Sequence, residues 1–108
     1  MKLLTPAQRE HYLEQGYVSP VRVMSAEKAA SIRSQLEAFE KSQGGPLKGS
    51  MRHKSHLLFS WLADLVREEK ILDAVEDLYG GDLLCWTTNF FIKEANDPGF
   101  VSWHQDST

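Results

Sequence analysis

The sequence has little cysteine and no long apolar run. The single cysteine, Cys85, excludes an internal disulfide framework and favours a reducing, intracellular setting, so the expected compartment is the cytoplasm. The N-terminus turns polar directly after Leu3 and Leu4, unlike a signal peptide, and no stretch approaches the ~20 apolar residues of a membrane span. We therefore expect no membrane partner.

An excess of basic charge is also missing. The 12 Lys and Arg residues are interspersed with 15 Asp and Glu residues, for a formal net charge of −3. Such a mixture lacks the basic footprint of a nucleic-acid-binding surface, so no nucleic acid is expected as a partner. What remains is an ordinary globular composition, with 42% hydrophobic residues in a chain of 108. Length and composition predict one small domain, residues 1–108.

Residues 1–82 carry apolar side chains mainly at helical spacing. Thr5, Pro6 and Gln8 form the pattern of a capping box with a proline in the first turn, which predicts a helix that ends at Gly16. Three further helices are predicted, from Ser25 to Gly44, from about Ser55 to Glu69, and from Ile71 to Gly80.

The spacing becomes strand-like after Asp82. From Leu83 to Glu94 the even-numbered positions are apolar apart from Thr88, whereas the odd-numbered positions include polar side chains. This alternation predicts a strand whose apolar face, Trp86 included, lies in a core. A turn at Asn96–Gly99 and a second extended segment from Phe100 to Asp106 follow. The expected fold class is α+β.

His104 and Asp106 form an H-x-D pair in that second segment. Alternate side chains of a strand share a face, so the imidazole and the carboxylate are expected to point together, as two metal ligands do. By itself the motif is weak evidence for a metal site. An Fe(II) site with two histidines and one carboxylate also needs a second His. The alternative is that both are ordinary polar residues near a chain end.

His53 and His56 are weaker candidates. Their spacing places both on one face of a helix start, but no carboxylate partner is evident, so capping or surface roles are expected.

The sequence resembles the phytanoyl-CoA dioxygenase family of Fe(II)/2-oxoglutarate-dependent oxygenases. The specific part of the resemblance is a pair of segments, Phe91-Ile92-Lys93-Glu94 and Trp103-His104-Gln105-Asp106-Ser107. The order of the preceding elements matches as well: Leu4-Thr5 with Gln8, Gly16-Tyr17-Val18, the Ser25 helix, and Ile71 to Val75 with Gly80. The resemblance implies helices (residues 1–82) packed on the first strands (residues 83–108) of an incomplete jelly roll, the double-stranded β-helix.

The resemblance also implies a chemistry. His104 and Asp106 would bind iron, and Lys93 and, less surely, Asn89 would help to bind the cosubstrate 2-oxoglutarate, while no catalytic side chain is assigned. A small-molecule substrate, an organic compound or an acyl thioester, would be hydroxylated as 2-oxoglutarate is decarboxylated to succinate. His53 and His56 could then lie near a substrate entrance.

The family's distal His and its 2-oxoglutarate-binding Arg are missing from these 108 residues. We therefore expect no turnover by the chain alone, and association with itself or with a partner chain through open sheet edges. The rival hypothesis is a non-catalytic helical remnant or a partner-dependent interaction domain without a working metal site. A hydrolase with an H-x-D motif is less supported, since no nucleophile or second carboxylate cluster lies nearby.

Overall fold

Four α-helices and two short 3₁₀ helices form the regular part of the chain. The computed structural model describes residues 1–106, of which 49% are helical. The α-helices are α1 (Pro6–Gln15), α2 (Ala26–Gln43), α3 (Ser60–Leu65) and α4 (Glu69–Tyr79), and the 3₁₀ helices are Gly49–Arg52 and Ser55–Leu57. None of the helices in residues 1–106 combines the length and the apolar character needed to cross a bilayer.

Helices α1 and α2 begin and end at the predicted residues. The Thr5 hydroxyl accepts a hydrogen bond from Gln8 N at 3.2 Å, and the Gln8 side chain accepts one from Thr5 N at 2.9 Å, which completes the capping box. Ser25 caps α2 in the same way by accepting from Lys28 N at 3.1 Å. Both helices stop at a glycine in the left-handed region, Gly16 and Gly44, each with φ of 81°. These predictions are confirmed.

The predicted helix from Ser55 to Glu69 is wrong in extent. A 3₁₀ helix, Ser55–Leu57, and the short α3 replace it, because Phe59 adopts an extended conformation with φ of −121° and ψ of 121°. The Phe59 ring packs edge-on against Phe39 of α2, with 4.7 Å between centroids. A tertiary contact thus interrupts a segment whose apolar spacing alone favours one continuous helix.

Helix α4 ties down the N-terminus. The Asp77 carboxylate accepts hydrogen bonds from the backbone N–H groups of Lys2, Leu3 and Leu4 at 2.7, 2.8 and 2.7 Å. Leu4 is one of three apolar side chains that are buried in the described part of the chain, with Leu47 and Leu62. The segment before α1 is therefore held in two ways: its backbone N–H groups donate to the Asp77 carboxylate, and the Leu4 side chain is buried.

The α+β prediction, with the first strands of an incomplete jelly roll, is wrong. Between residues 1 and 106 the chain forms no sheet; there is one antiparallel bridge, between His53 and Asn89. Residues 83–106 form no regular secondary structure apart from that bridge and the turn at residues 95–96. Alternation fixes only which side a side chain faces, whereas a strand also needs a partner for its N–H and C=O groups. In the described structure that partner is the 52–54 segment, and it spans one bridge.

The predicted burial of the strand's apolar face is wrong for the same reason. Leu84 is 89% exposed and Trp86 is 78% exposed, and Cys85 is exposed as well. Phe90 and Ile92 of the same face are half-buried beside the bridge, so the apolar face is covered only in part.

Candidate functional site

His104 and Asp106 face each other. The Nε2 atom of His104 lies 3.2 Å from Oδ1 of Asp106. The other ring nitrogen, Nδ1, lies 2.8 Å from the carbonyl oxygen of Ser102, so Nδ1–H donates to that oxygen. Nε2 donates to Asp106 when the ring is protonated and carries the lone pair when the ring is neutral. The two residues are separated by one position, and the contact means that their side chains lie on one side of the chain.

The electrostatics of the pair favour a cation. The hydrogen bond to Ser102 and, after it, the negative charge of Asp106 raise the pKa of His104 above its usual value. A proton on Nε2 is then stabilised by the carboxylate, as a metal ion in the same place would be. Metal binding at such a pair requires that the proton leave first.

The pair fits two adjacent positions of an octahedral ion. Ligand bonds of about 2.1 Å at right angles place neighbouring donor atoms about 3 Å apart, close to the 3.2 Å between Nε2 and Oδ1. A metal-ligating His ordinarily donates its second N–H to a carbonyl or carboxylate, as His104 does here. Within residues 1–106, however, no three His, Cys, Asp or Glu side chains are grouped so as to hold a metal. The described residues thus supply two candidate ligands and no third.

Asn89 and Lys93, the predicted 2-oxoglutarate-binding residues, lie in different surroundings. The Asn89 side-chain oxygen is 2.9 Å from His53 Nδ1, beside the bridge. The Lys93 ammonium instead donates to the carbonyl oxygen of Asp97 at 2.5 Å, across the turn that follows. The structure does not bring the two side chains together in one pocket, and their predicted role stays a prediction.

A cleft of about 420 Å³ opens beside the His53–Asn89 bridge. Arg52, His53 and Asn89 supply its polar lining, and Phe90 and Phe91 contribute apolar walls. The bridge creates the cleft, since Phe90 N donates to Arg52 O at 2.9 Å and Lys54 N donates to Thr88 O at 2.7 Å. Sequence reasoning missed Arg52 because nothing in the periodicity indicates that residues 52–54 and 88–90 pair.

Thr88 links the neighbouring histidine to the same bridge. Its hydroxyl lies 2.7 Å from His56 Nδ1 and accepts from His56 N at 3.3 Å. The buried Ser55 hydroxyl is 3.5 Å from the same oxygen. His53 is exposed, as expected for a surface residue, and its ring contacts Asn89, whereas His56 is half-buried against Thr88.

The chain is similar to the probable alpha-ketoglutarate-dependent hypophosphite dioxygenase of Stutzerimonas stutzeri, at 28% identity over 116 aligned positions that cover 92% of this chain and 40% of the relative. The chain therefore spans about 40% of the length of that curated relative. No family model matches the chain, and no solved structure matches it.

This similarity supports a relationship to the iron- and 2-oxoglutarate-dependent oxygenases, since alpha-ketoglutarate is 2-oxoglutarate. It is consistent with a fragment of such an enzyme. The narrower assignment to the phytanoyl-CoA dioxygenase family stays a prediction.

Proposed function

We propose that this chain is the N-terminal, iron-binding part of an Fe(II)/2-oxoglutarate-dependent oxygenase of the phytanoyl-CoA dioxygenase type, with His104 and Asp106 as two of the metal ligands. The observation that carries the proposal is the 3.2 Å approach of His104 Nε2 and Asp106 Oδ1. The similarity to an alpha-ketoglutarate-dependent dioxygenase, which covers 92% of the chain, supports the same conclusion independently of the geometry.

Bound iron and 2-oxoglutarate supply an oxidation by O₂ that is coupled to decarboxylation of the cosubstrate. The chain's own residues have simpler tasks. Ser102 O holds the Nδ1–H of His104 at 2.8 Å and so keeps the Nε2 lone pair directed away from the backbone. Asp106 contributes one negative charge, which lowers the net charge of a bound divalent cation. Asn89 and Lys93 would donate hydrogen bonds to the cosubstrate, for which Lys93 has to release Asp97 O.

The substrate is a small molecule in this proposal, either an organic compound or an acyl thioester. The relative is named for the oxidation of hypophosphite, a small oxyanion. A small anionic substrate is therefore a further possibility to test beside the other two classes.

Metal titration tests the ligand assignment. We expect the intact chain to bind Fe(II) under anaerobic conditions, or Ni(II) as a redox-stable substitute, in isothermal titration calorimetry. His104→Ala and Asp106→Ala should each weaken binding at least tenfold. His11→Ala and Asp82→Ala, which remove exposed side chains of the same types elsewhere, serve as matched controls. Affinity that is unchanged in both ligand variants would contradict the proposal.

Turnover by this chain alone is not expected, because the site of residues 1–106 has two protein ligands and three are needed to hold Fe(II) well. The measurement is succinate release with Fe(II), 2-oxoglutarate and O₂, by material shown to be intact and monomeric. Succinate formation above the metal-free background would refute this part of the proposal while leaving the ligand assignment intact.

The second candidate function is a partner-dependent interaction domain without a working metal site. The observation that favours it is the exposure of large apolar side chains in residues 83–106, with Trp103 fully exposed. Sedimentation velocity over a range of concentrations tests it. Self-association that persists in His104→Ala and is lost when Trp103 and Phe100 are both replaced by Ser would favour this candidate, particularly if metal binding is absent.

A further inference from the structure

We infer that the cleft beside the His53–Asn89 bridge binds a small oxyanion, either a carboxylate or a phosphorus oxyanion. The inference shares Asn89 with the cosubstrate assignment of the proposed function and rests on it at that residue. It requires no metal at His104 and Asp106, so anion binding and metal binding can fail separately.

The position of Arg52 is the first argument. Its Nε donates to the carbonyl oxygen of Leu47 at 3.0 Å, and Leu47 is 1% exposed. The guanidinium is therefore anchored on one side to a buried residue, and its terminal nitrogens remain as donors. Within residues 1–106 no carboxylate lies within ion-pair distance of Arg52, although most of the chain's acidic residues are close in sequence to basic ones.

The His53–Asn89 pair is the second argument. Because the Asn89 side-chain oxygen can only accept, the 2.9 Å contact means that His53 Nδ1–H donates to it. The Asn89 amide nitrogen then keeps two N–H donors at the cleft. Asn89 offers a neutral hydrogen-bond donor and Arg52 a charged one, and both suit an anion with several oxygens. A cation would find no carboxylate in the lining of the cleft.

The composition of the cleft is the third argument. Its lining includes one permanent positive charge and no Asp or Glu, in a chain whose net charge is −3. Phe90, Phe91 and Ile92 form the remaining walls. Of these, Phe90 and Ile92 are half-buried, and their apolar surface lowers the local dielectric constant and so strengthens the attraction between a guanidinium and an anion. With about 420 Å³, the cleft accommodates a small molecule and not a polymer.

Titration with inorganic phosphate and, separately, with acetate tests the inference. Both probes are added to metal-free intact chain at constant ionic strength, because general screening also changes with salt. We expect amide chemical shifts in two-dimensional NMR spectra to move at Arg52, His53, Asn89 and Phe90, with a Kd on the order of 1 mM for the preferred probe. Tighter binding of phosphate identifies a phosphorus oxyanion as the ligand class, and tighter binding of acetate identifies a carboxylate.

Two variants decide whether the cleft is responsible. Asn89→Asp keeps the side-chain shape but places a negative charge against the anion, so binding should weaken more than tenfold. Asn96→Asp, in the exposed turn, makes the same change in net charge and is the matched control, with binding unchanged. Arg52→Gln should also weaken binding tenfold or more, and if it unfolds the chain through the lost contact to Leu47, Asn89→Asp still decides. Absence of binding, or equal binding by Asn89→Asp and Asn96→Asp, would overturn the inference.

Discussion

Residues 1–82 and residues 83–106 differ in where their backbone groups find partners. In the first region each helix satisfies most of its own N–H and C=O groups, and Thr5 and Ser25 accept from donors left at the helix starts. Asp77 accepts from the N–H groups of the segment before α1. In the second region the main-chain pairing with the rest of the described chain is confined to the bridge at Asn89. A helix can form from local sequence, whereas an extended segment is stabilised only by what lies beside it.

The same difference appears in apolar burial. The buried apolar side chains of the described structure, Leu4, Leu47 and Leu62, all belong to the first region, whereas Leu84, Phe91 and Trp103 in the second are more than 85% exposed. Stability measured on this chain should therefore report on residues 1–82. Binding measurements should report on residues 83–106, which contain the H-x-D pair and one wall of the cleft.

Replacement of a buried leucine should give the largest effect. Leu47→Ala removes a side chain that is 1% exposed and should lower the free energy of unfolding by about 2 to 5 kcal/mol. Leu84→Ala, the matched change in the second region, should alter it by less than about 0.5 kcal/mol. Urea denaturation followed by circular dichroism measures both. Equal losses would mean that residues 83–106 are packed in solution, and the contrast between the regions would disappear.

Acid should weaken the first region through Asp77. Burial raises the pKa of this carboxyl, but the hydrogen bonds from Leu3, Leu4 and Lys2 and the charge of the N-terminal ammonium outweigh it, so that the pKa lies below its usual value. A lowered folded-state pKa adds stability above the unfolded value of about 3.9, and this stability is lost as the pH falls through the folded pKa.

We therefore expect Asp77→Asn to lower Tm by about 5 °C at neutral pH and to reduce the fall in Tm between neutral and acidic pH. Thermal unfolding at a series of pH values measures this. Asp82→Asn, an exposed carboxyl two residues beyond the end of α4 and its glycine cap, is the control and should keep the wild-type pH dependence. If Asp77→Asn and Asp82→Asn have the same pH profile, the N-terminus is not held by Asp77.

The contrast between residues 1–82 and residues 83–106 explains which parts of the fold the sequence predicts. The ends of α1 and α2 were predictable because a cap is formed by residues three or four positions apart, as Thr5 and Gln8 are. The interruption at Phe59 was not predictable, because its cause is a ring on another helix, Phe39. The alternation after Asp82 wrongly predicted a sheet, since the pattern describes one strand and cannot supply the next.

The candidate site divides in the same way. That His104 and Asp106 would lie on one side followed from strand geometry over three residues, and the structure has that arrangement. The cleft was not predictable, because His53 and Asn89 are 36 positions apart and no local pattern joins them. Arg52 was missed as a consequence, since its chemistry matters only once residues 88–90 lie against it.

A smaller effect should distinguish a glycine that caps a helix with a positive φ from a glycine that has none. Gly44 ends α2 with φ of 81° and has open space where a Cβ would be. Gly44→Ala should therefore cost about 1 kcal/mol through backbone strain alone. Gly49→Ala, which also meets open space but has no positive φ, should be neutral or stabilising by up to about 0.5 kcal/mol. Equal unfolding free energies of the two variants in urea would contradict this account of how α2 ends.

The smallest expected effect concerns the cation–π contact between Lys54 of the first region and Trp86 of the second. Lys54 Nζ lies 5.3 Å from the centre of the Trp86 ring, although that side chain is 78% exposed. Trp86→Ala should therefore cost no more than about 0.5 to 1 kcal/mol, the range for an exposed cation–π pair, while Trp103→Ala, at an exposed tryptophan of the same region, should cost nothing measurable. Because Lys54 N also donates to Thr88 O, loss of the ring should speed hydrogen exchange at the Lys54 amide more than at amides of α2. Exchange that is unchanged at Lys54 would show that the bridge holds the second region without help from Trp86.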